Sequence, residues 1–263
     1  MSKKLMLGAK PFFYERGKVG CMLCHGYTGT PDEIHNIGKF LADKGITTIA
    51  PLLPGHGTTI EELIETTADD WYTEYCYAFN SLKEYCDEFF VCGHSLGGGL
   101  TIRFAQEHQV DGIITLATPI KLRFLHRLFL PIITPFSRKA VFKKSREERL
   151  HQEKYKILCY NGYPIAPANT FRRMLNKISN KLDLIKQPIL IIQGLLDDKW
   201  IRRSAQKIYE NVSSKDKQLV YLEKSSHSLT HELEKEKINE LIYEFIQKRM
   251  ETYSTHLCSI SSR

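Results

Sequence analysis

The stretch Glu88-Phe89-Phe90-Val91-Cys92-Gly93-His94-Ser95-Leu96-Gly97-Gly98-Gly99 constrains this chain more than any other. An apolar run of strand character passes without a linker into G-x-S-x-G, and a helical pattern predicted over 100–108 follows directly. A serine on so tight a strand-to-helix turn is lifted clear of both elements, and the small residues two places to either side let strand and helix pack closely. The five-residue pattern alone recurs by chance. The strand before it and the helix behind it give it meaning.

Around this turn the apolar periodicity alternates. Strands are predicted at 18–24, 46–50, 88–92, 112–116, 188–193 and 218–222. Helices are predicted from Pro31-Asp32-Glu33 to Gly45, then at 69–85, 100–108, 204–209 and 232–250. Strand and helix in alternation mean an α/β fold, a mostly parallel central sheet with helices on both faces. The alternation stops over 119–187, which is basic, interrupted by proline and helical in pattern. It reads as a small helical cap inserted into a core formed by 1–118 and 188–250, with 251–263 left as a tail of little periodicity. The apolar patch from Phe124 to Phe136 within the cap has two readings: a helix burying its face on the core, or a surface for an acyl chain or a lipid.

Composition narrows the setting. The 263 residues, 42% apolar and 25% charged, suit one globular domain with an insertion and exclude disordered and fibrous classes. Lys10, Glu15, Arg16 and Lys18 follow the N-terminal lysines where a signal peptide would have its apolar region, and the run 128–136 is too short to span a bilayer, so no stable membrane insertion is expected. Seven scattered cysteines, an odd number, point to reduced thiols and a cytoplasmic protein. Cys21 and Cys24 lie three apart in a strand and face opposite ways, so they do not form a joint metal site. The formal charge of +7 reads as a solvated surface rather than a nucleic-acid face.

A serine hydroxyl is a weak nucleophile at neutral pH and needs a histidine to take its proton and a carboxylate to orient that histidine. For Ser95 the partners are sought after late strands. Gly194-Leu195-Leu196-Asp197-Asp198 follows one, and Ser225-Ser226-His227-Ser228 follows the next. Asp197 and His227 are the favoured pair, with Asp198 and His231 as rivals. Two backbone N–H groups must also face the developing oxyanion. Leu96 supplies one, and Tyr27, in the turn after the first long strand, is the candidate for the other. His56 lies among glycines and reads as structural.

These residues resemble the bacterial carboxylesterase and monoacylglycerol lipase family of α/β-hydrolases over nearly the whole chain. The likeness is carried by Cys24-His25-Gly26-Tyr27-Thr28-Gly29-Thr30-Pro31, Pro54-Gly55-His56-Gly57, Asp69-Asp70-Trp71, the Ser95 turn, Gln193-Gly194-Leu195-Leu196-Asp197 and Ser226-His227. Trp200 stands where the family commonly has a small β-branched residue. The resemblance implies an α/β-hydrolase fold, Tyr27 as an oxyanion donor, Asp197 as the acid and a cap over an acyl pocket. It also implies a small ester substrate with an apolar acyl group, taken without metal or organic cofactor. A thioester, amide or carbon-carbon bond is the alternative target, since one triad serves them all and the pocket decides. A non-catalytic binding module would be expected to lack a triad member, and Ser95, Asp197 and His227 are all present.

Overall fold

The computed structural model describes the backbone of residues 5–260 and the side chains of 5–250. In chain order the strands are β1 (Phe12–Tyr14), β2 (Val19–Cys24), β3 (Thr47–Ala50), β4 (Glu88–His94), β5 (Gly112–Leu116), β6 (Val141–Lys143), β7 (Gly162–Pro164), β8 (Ile189–Gly194) and β9 (Lys217–Leu222). The helices are α1 (Asp32–Asp43), α2 (Ile60–Ile64), α3 (Ala68–Leu82), α4 (Leu96–Glu107), α5 (Phe124–Ile133), α6 (Arg146–Tyr155), α7 (Ile165–Ser179), α8 (Lys199–Asn211) and α9 (Lys235–Ile260).

Seven strands form one sheet in the order β1-β3-β2-β4-β5-β8-β9, parallel throughout except for β1. Strands covered on both faces must be apolar on both, and β2, β5 and β8 are buried along their whole length. Alternate residues serve opposite layers. Val91 belongs to the apolar layer that includes residues of α3, α4, α7 and α8, whereas Phe90 and Cys92 belong to the layer that includes residues of α1 and α9. Cys21 and Cys24 separate in the same way, each into a different layer.

Of the departures from the predicted elements, three have a plain local reason. Helix α4 begins at Leu96 rather than Leu100, because its first turn is built from the three glycines of the tight turn itself. Helix α9 begins at Lys235 and continues to Ile260, so most of the expected tail is helical; 261–263 lie outside the described residues. The cap is also not wholly helical. Between β5 and β8, α5, α6 and α7 are joined by an antiparallel ribbon of β6 and β7. Three-residue strands such as β1, β6 and β7 are too short to display a period of two, and their partners decide them.

The connections explain where a site forms. From β2 the chain moves outward to β3 on one side and then returns to place β4 on the other side of β2. At such a reversal the loops leaving the carboxyl ends of neighbouring strands part and open a crevice. Cys24 is level with Gly93, so residues 25–30 and the Ser95 turn emerge side by side. Gly194 is likewise level with Leu222, so the loops after β8 and β9 leave from the same edge of the sheet.

Candidate active site

Ser95 occupies φ 52° and ψ −109°, a region that L-residues other than glycine rarely adopt. Its N–H donates to Leu116 O at 2.9 Å, and its carbonyl accepts from Gly99 N–H at 3.1 Å as the first bond of α4. The strained residue is thus held from β5 and from its own helix. Gly97 is required by close approach, since a Cβ there would stand 2.3 Å from Cys24 O. That absence of side chain lets α4 start directly against the end of β2.

His227 Nε2 lies 3.0 Å from Ser95 Oγ, and His227 Nδ1 lies 3.0 Å from Asp197 Oδ2. Asp197 is buried, and its carboxylate also accepts from Gln193 Nε2 at 2.9 Å and from Asp198 N–H at 2.6 Å. Burial pushes its pKa up, but the His227 charge and these hydrogen bonds prevail and hold it below the usual range. At His227, burial opposes the imidazolium, and the Asp197 charge and hydrogen bond outweigh burial and raise the pKa above 6.5. An anion, a histidine and a hydroxyl therefore stand in line.

The rivals point elsewhere. Asp198 stands at the N-cap position of α8, and its carboxylate accepts from Trp200 Nε1 at 3.1 Å. His231 lies in a turn before α9, beside Thr230 Oγ1 and 3.7 Å from Asp32. His56 is buried, with Nδ1 3.2 Å from Pro54 O and its ring edge-on to Trp71 and His25. Burial, then the neighbouring His25, keep its pKa well below that of free imidazole.

The N–H groups of Tyr27 and Leu96 have no protein acceptor among the described residues. Leu96 is the first residue of α4, where N–H groups point outward with the positive end of the helix dipole. The direction of the Tyr27 N–H follows from its peptide plane, whose carbonyl is Gly26 O. Leu53 N–H donates to His25 Nε2 at 3.2 Å, so the His25 proton is on Nδ1, which donates to Gly26 O at 2.9 Å. Gly29 N–H donates to the same oxygen at 3.2 Å. In a trans peptide the N–H opposes its C=O, so pinning Gly26 O aims the Tyr27 N–H the other way. Across the cleft, the Tyr27 hydroxyl donates to Pro164 O at 2.7 Å and secures this loop to the cap ribbon.

Sequence reasoning missed the residues that brace these groups. Glu33 accepts from Gly26 N–H at 2.5 Å and lies 3.1 Å from His94 Nδ1, while His94 Nε2 donates to His227 O at 2.8 Å. One carboxylate thereby joins the Gly26–Tyr27 loop to the backbone of His227. Burial raises the Glu33 pKa, but His94, Gly26 N–H and His25 prevail and leave it far below the usual range. Glu232 similarly accepts from Ser226 N–H and Ser226 Oγ, and approaches His151 of α6 at 2.9 Å. In sequence Glu33 is merely a first-turn acid, and nothing local marks its distant partners. Two surface clefts, of about 320 Å³ beside Cys159 and about 250 Å³ beside Phe12, include none of Ser95, Asp197 and His227.

Comparison with known proteins agrees with this architecture. The carboxylesterase of Bacillus subtilis (strain 168) is 28% identical over 91% of this chain and 96% of its own length. The thermostable monoacylglycerol lipase of Bacillus sp. (strain H-257) is 31% identical over 93% of this chain and 96% of its own. Among solved structures, a metagenome-derived lipolytic enzyme superposes with a TM-score of 0.85 at 28% identity, covering 93% of this chain and all of the other. Residues 16–234 match the family described as serine aminopeptidase, S33, and with these relatives the chain belongs to that family of α/β-hydrolases, in the branch of the bacterial carboxylesterases and monoacylglycerol lipases.

Proposed function

We propose that the protein is a serine carboxylesterase that hydrolyses short- to medium-chain carboxylic esters or monoacylglycerols through an acyl-enzyme on Ser95. The observation that carries this reading is the continuous line Ser95 Oγ, His227, Asp197, with 3.0 Å at each junction. His227 Nε2 takes the hydroxyl proton as Ser95 Oγ attacks the ester carbonyl, and Asp197 stabilises the imidazolium. The tetrahedral oxyanion rests on the N–H groups of Tyr27 and Leu96, an arrangement worth a few kcal/mol of barrier. On collapse, His227 returns the proton to the departing alcohol. Water, activated by the same histidine, then releases the acid and restores Ser95. Each proton is carried by the chain's own groups, so the cycle calls for no metal or organic cofactor.

In this reading 119–187 is the cap and 1–118 with 188–250 the catalytic core. A cytoplasmic setting is supported by six free cysteines among the described residues. No helix among those residues is long and apolar enough to cross a membrane.

The test is hydrolysis of p-nitrophenyl esters from acetate to palmitate, with a thioester and an aminoacyl anilide alongside, by wild type and Ser95→Ala. Ester turnover that peaks at short or medium chains and vanishes in Ser95→Ala is expected. Turnover of the thioester or anilide alone would overturn the ester assignment and move the triad to that bond.

A further inference from the structure

We propose that α5 is a docking surface for anionic lipid bilayers, by which the protein adsorbs reversibly without spanning the membrane. Two independent features meet there. The first is an inverted helix: Phe124, Leu125, Leu128, Phe129 and Ile132 are all at least half exposed, and among α5 residues only Leu130 is buried. At 100° per residue the five exposed side chains cover an arc of roughly 140°, and Leu130 points away from it. Phe136, 88% exposed, extends the same surface past the end of the helix. A ten-residue helix is too short to cross a bilayer but suited to lying in its interface.

The second feature is charge. Residues 119–144 contain seven lysines and arginines and no aspartate or glutamate, whereas the rest of the chain holds thirty of each sign. The entire formal charge of +7 therefore resides in this one segment. Arg123 and Arg127 at the start of α5, and Arg138, Lys139 and Lys143 in the segment that follows it, are exposed, and of these Arg138 makes a surface pair with Glu65 at 3.4 Å. An apolar arc edged by cations matches an anionic bilayer on both counts: the side chains enter the acyl boundary and the cations meet the headgroups. A protein partner of the same sign pattern would need its own acidic rim around an apolar patch, whereas an anionic bilayer presents both everywhere.

The full chain should co-sediment with vesicles of phosphatidylcholine containing about one third phosphatidylglycerol at least tenfold more than with phosphatidylcholine alone. That preference should shrink as salt rises from roughly 50 to 500 mM. Arg123→Glu/Arg127→Glu should abolish the preference, and Phe124→Ser/Leu128→Ser should weaken binding about tenfold or more, with unchanged circular dichroism and thermal midpoint. Absence of sedimentation at low salt, or binding by both double variants equal to that of wild type, would overturn the proposal. So would lipid-free dimerisation in sedimentation velocity that Phe124→Ser/Leu128→Ser removes, since that result assigns the face to a second copy of the chain. None of these readouts requires turnover, so they stand apart from the ester assignment.

Discussion

The ledge that carries Ser95, formed by the loops leaving the carboxyl ends of β2, β4, β8 and β9, and the helix α5 are organised by opposite rules. On the ledge, polar groups are held from several directions: Gly26 O accepts from two donors, the Asp197 carboxylate meets three, and Glu33 ties Gly26 N–H to His94. On α5 a single leucine is buried, and the large apolar side chains face outward. Reaction chemistry demands atoms held to within a few tenths of an ångström, so a site with strained φ needs surroundings that overdetermine it. A face that meets a fluid surface needs no such precision. Its composition counts for more than its geometry.

Substitutions test this contrast in decreasing order of effect. Asp197→Asn retains the shape of the ledge but removes the anion that orients and charges His227, and should lower kcat/KM by about 10⁴-fold with the fold intact. Its pH profile sharpens the point. In wild type the Asp197 charge raises the His227 pKa above 6.5, and the base must be neutral to act, so activity should fall with acidification through an inflection above 6.5. Asp197→Asn should move that inflection downward.

Glu33→Gln should have the next largest effect. It removes a charged hydrogen-bond acceptor, worth roughly 1.5–3 kcal/mol, from a place where the oxyanion loop and the His227 backbone are joined. The expected loss is about 10- to 100-fold in kcat, with KM for a small ester nearly unchanged. A change confined to the thermal midpoint would show that Glu33 serves stability alone. At the small end, Leu128→Ser on α5 should alter unfolding free energy by no more than about 0.5 kcal/mol in urea titration, because half of its surface is already in water. A loss of several kcal/mol there would mean that α5 is as tightly packed as the ledge.

The contrast also explains what could be read in advance. Strands β4, β5 and β8 were legible to within two residues and helix α3 to within three, the largest strand offset falling at the carboxyl end of β4, because each has an unbroken apolar pattern bounded by turn residues. That end was obscured because Gly93-His94 has no apolar signal of its own, and neighbouring β2 and β5 pair it into the sheet. The cap ribbon escaped notice because Val141-Phe142-Lys143 and Gly162-Tyr163-Pro164 become strands only by pairing with one another.

By itself the sequence determined the class of fold, through alternating strand and helix periodicities, and the residue types of the line Ser95, Asp197, His227, because a tight turn and two strand ends are local signals. Only the tertiary structure decided that Asp197 rather than Asp198 faces His227, that His25 aims the Tyr27 N–H, that Glu33 reaches Gly26 and His94, and that the apolar side of α5 looks outward. Those choices depend on which way neighbouring side chains point once distant strands are level, and on which face of a helix finds a partner. Neither a rotamer nor a packing partner is encoded within a few residues of itself.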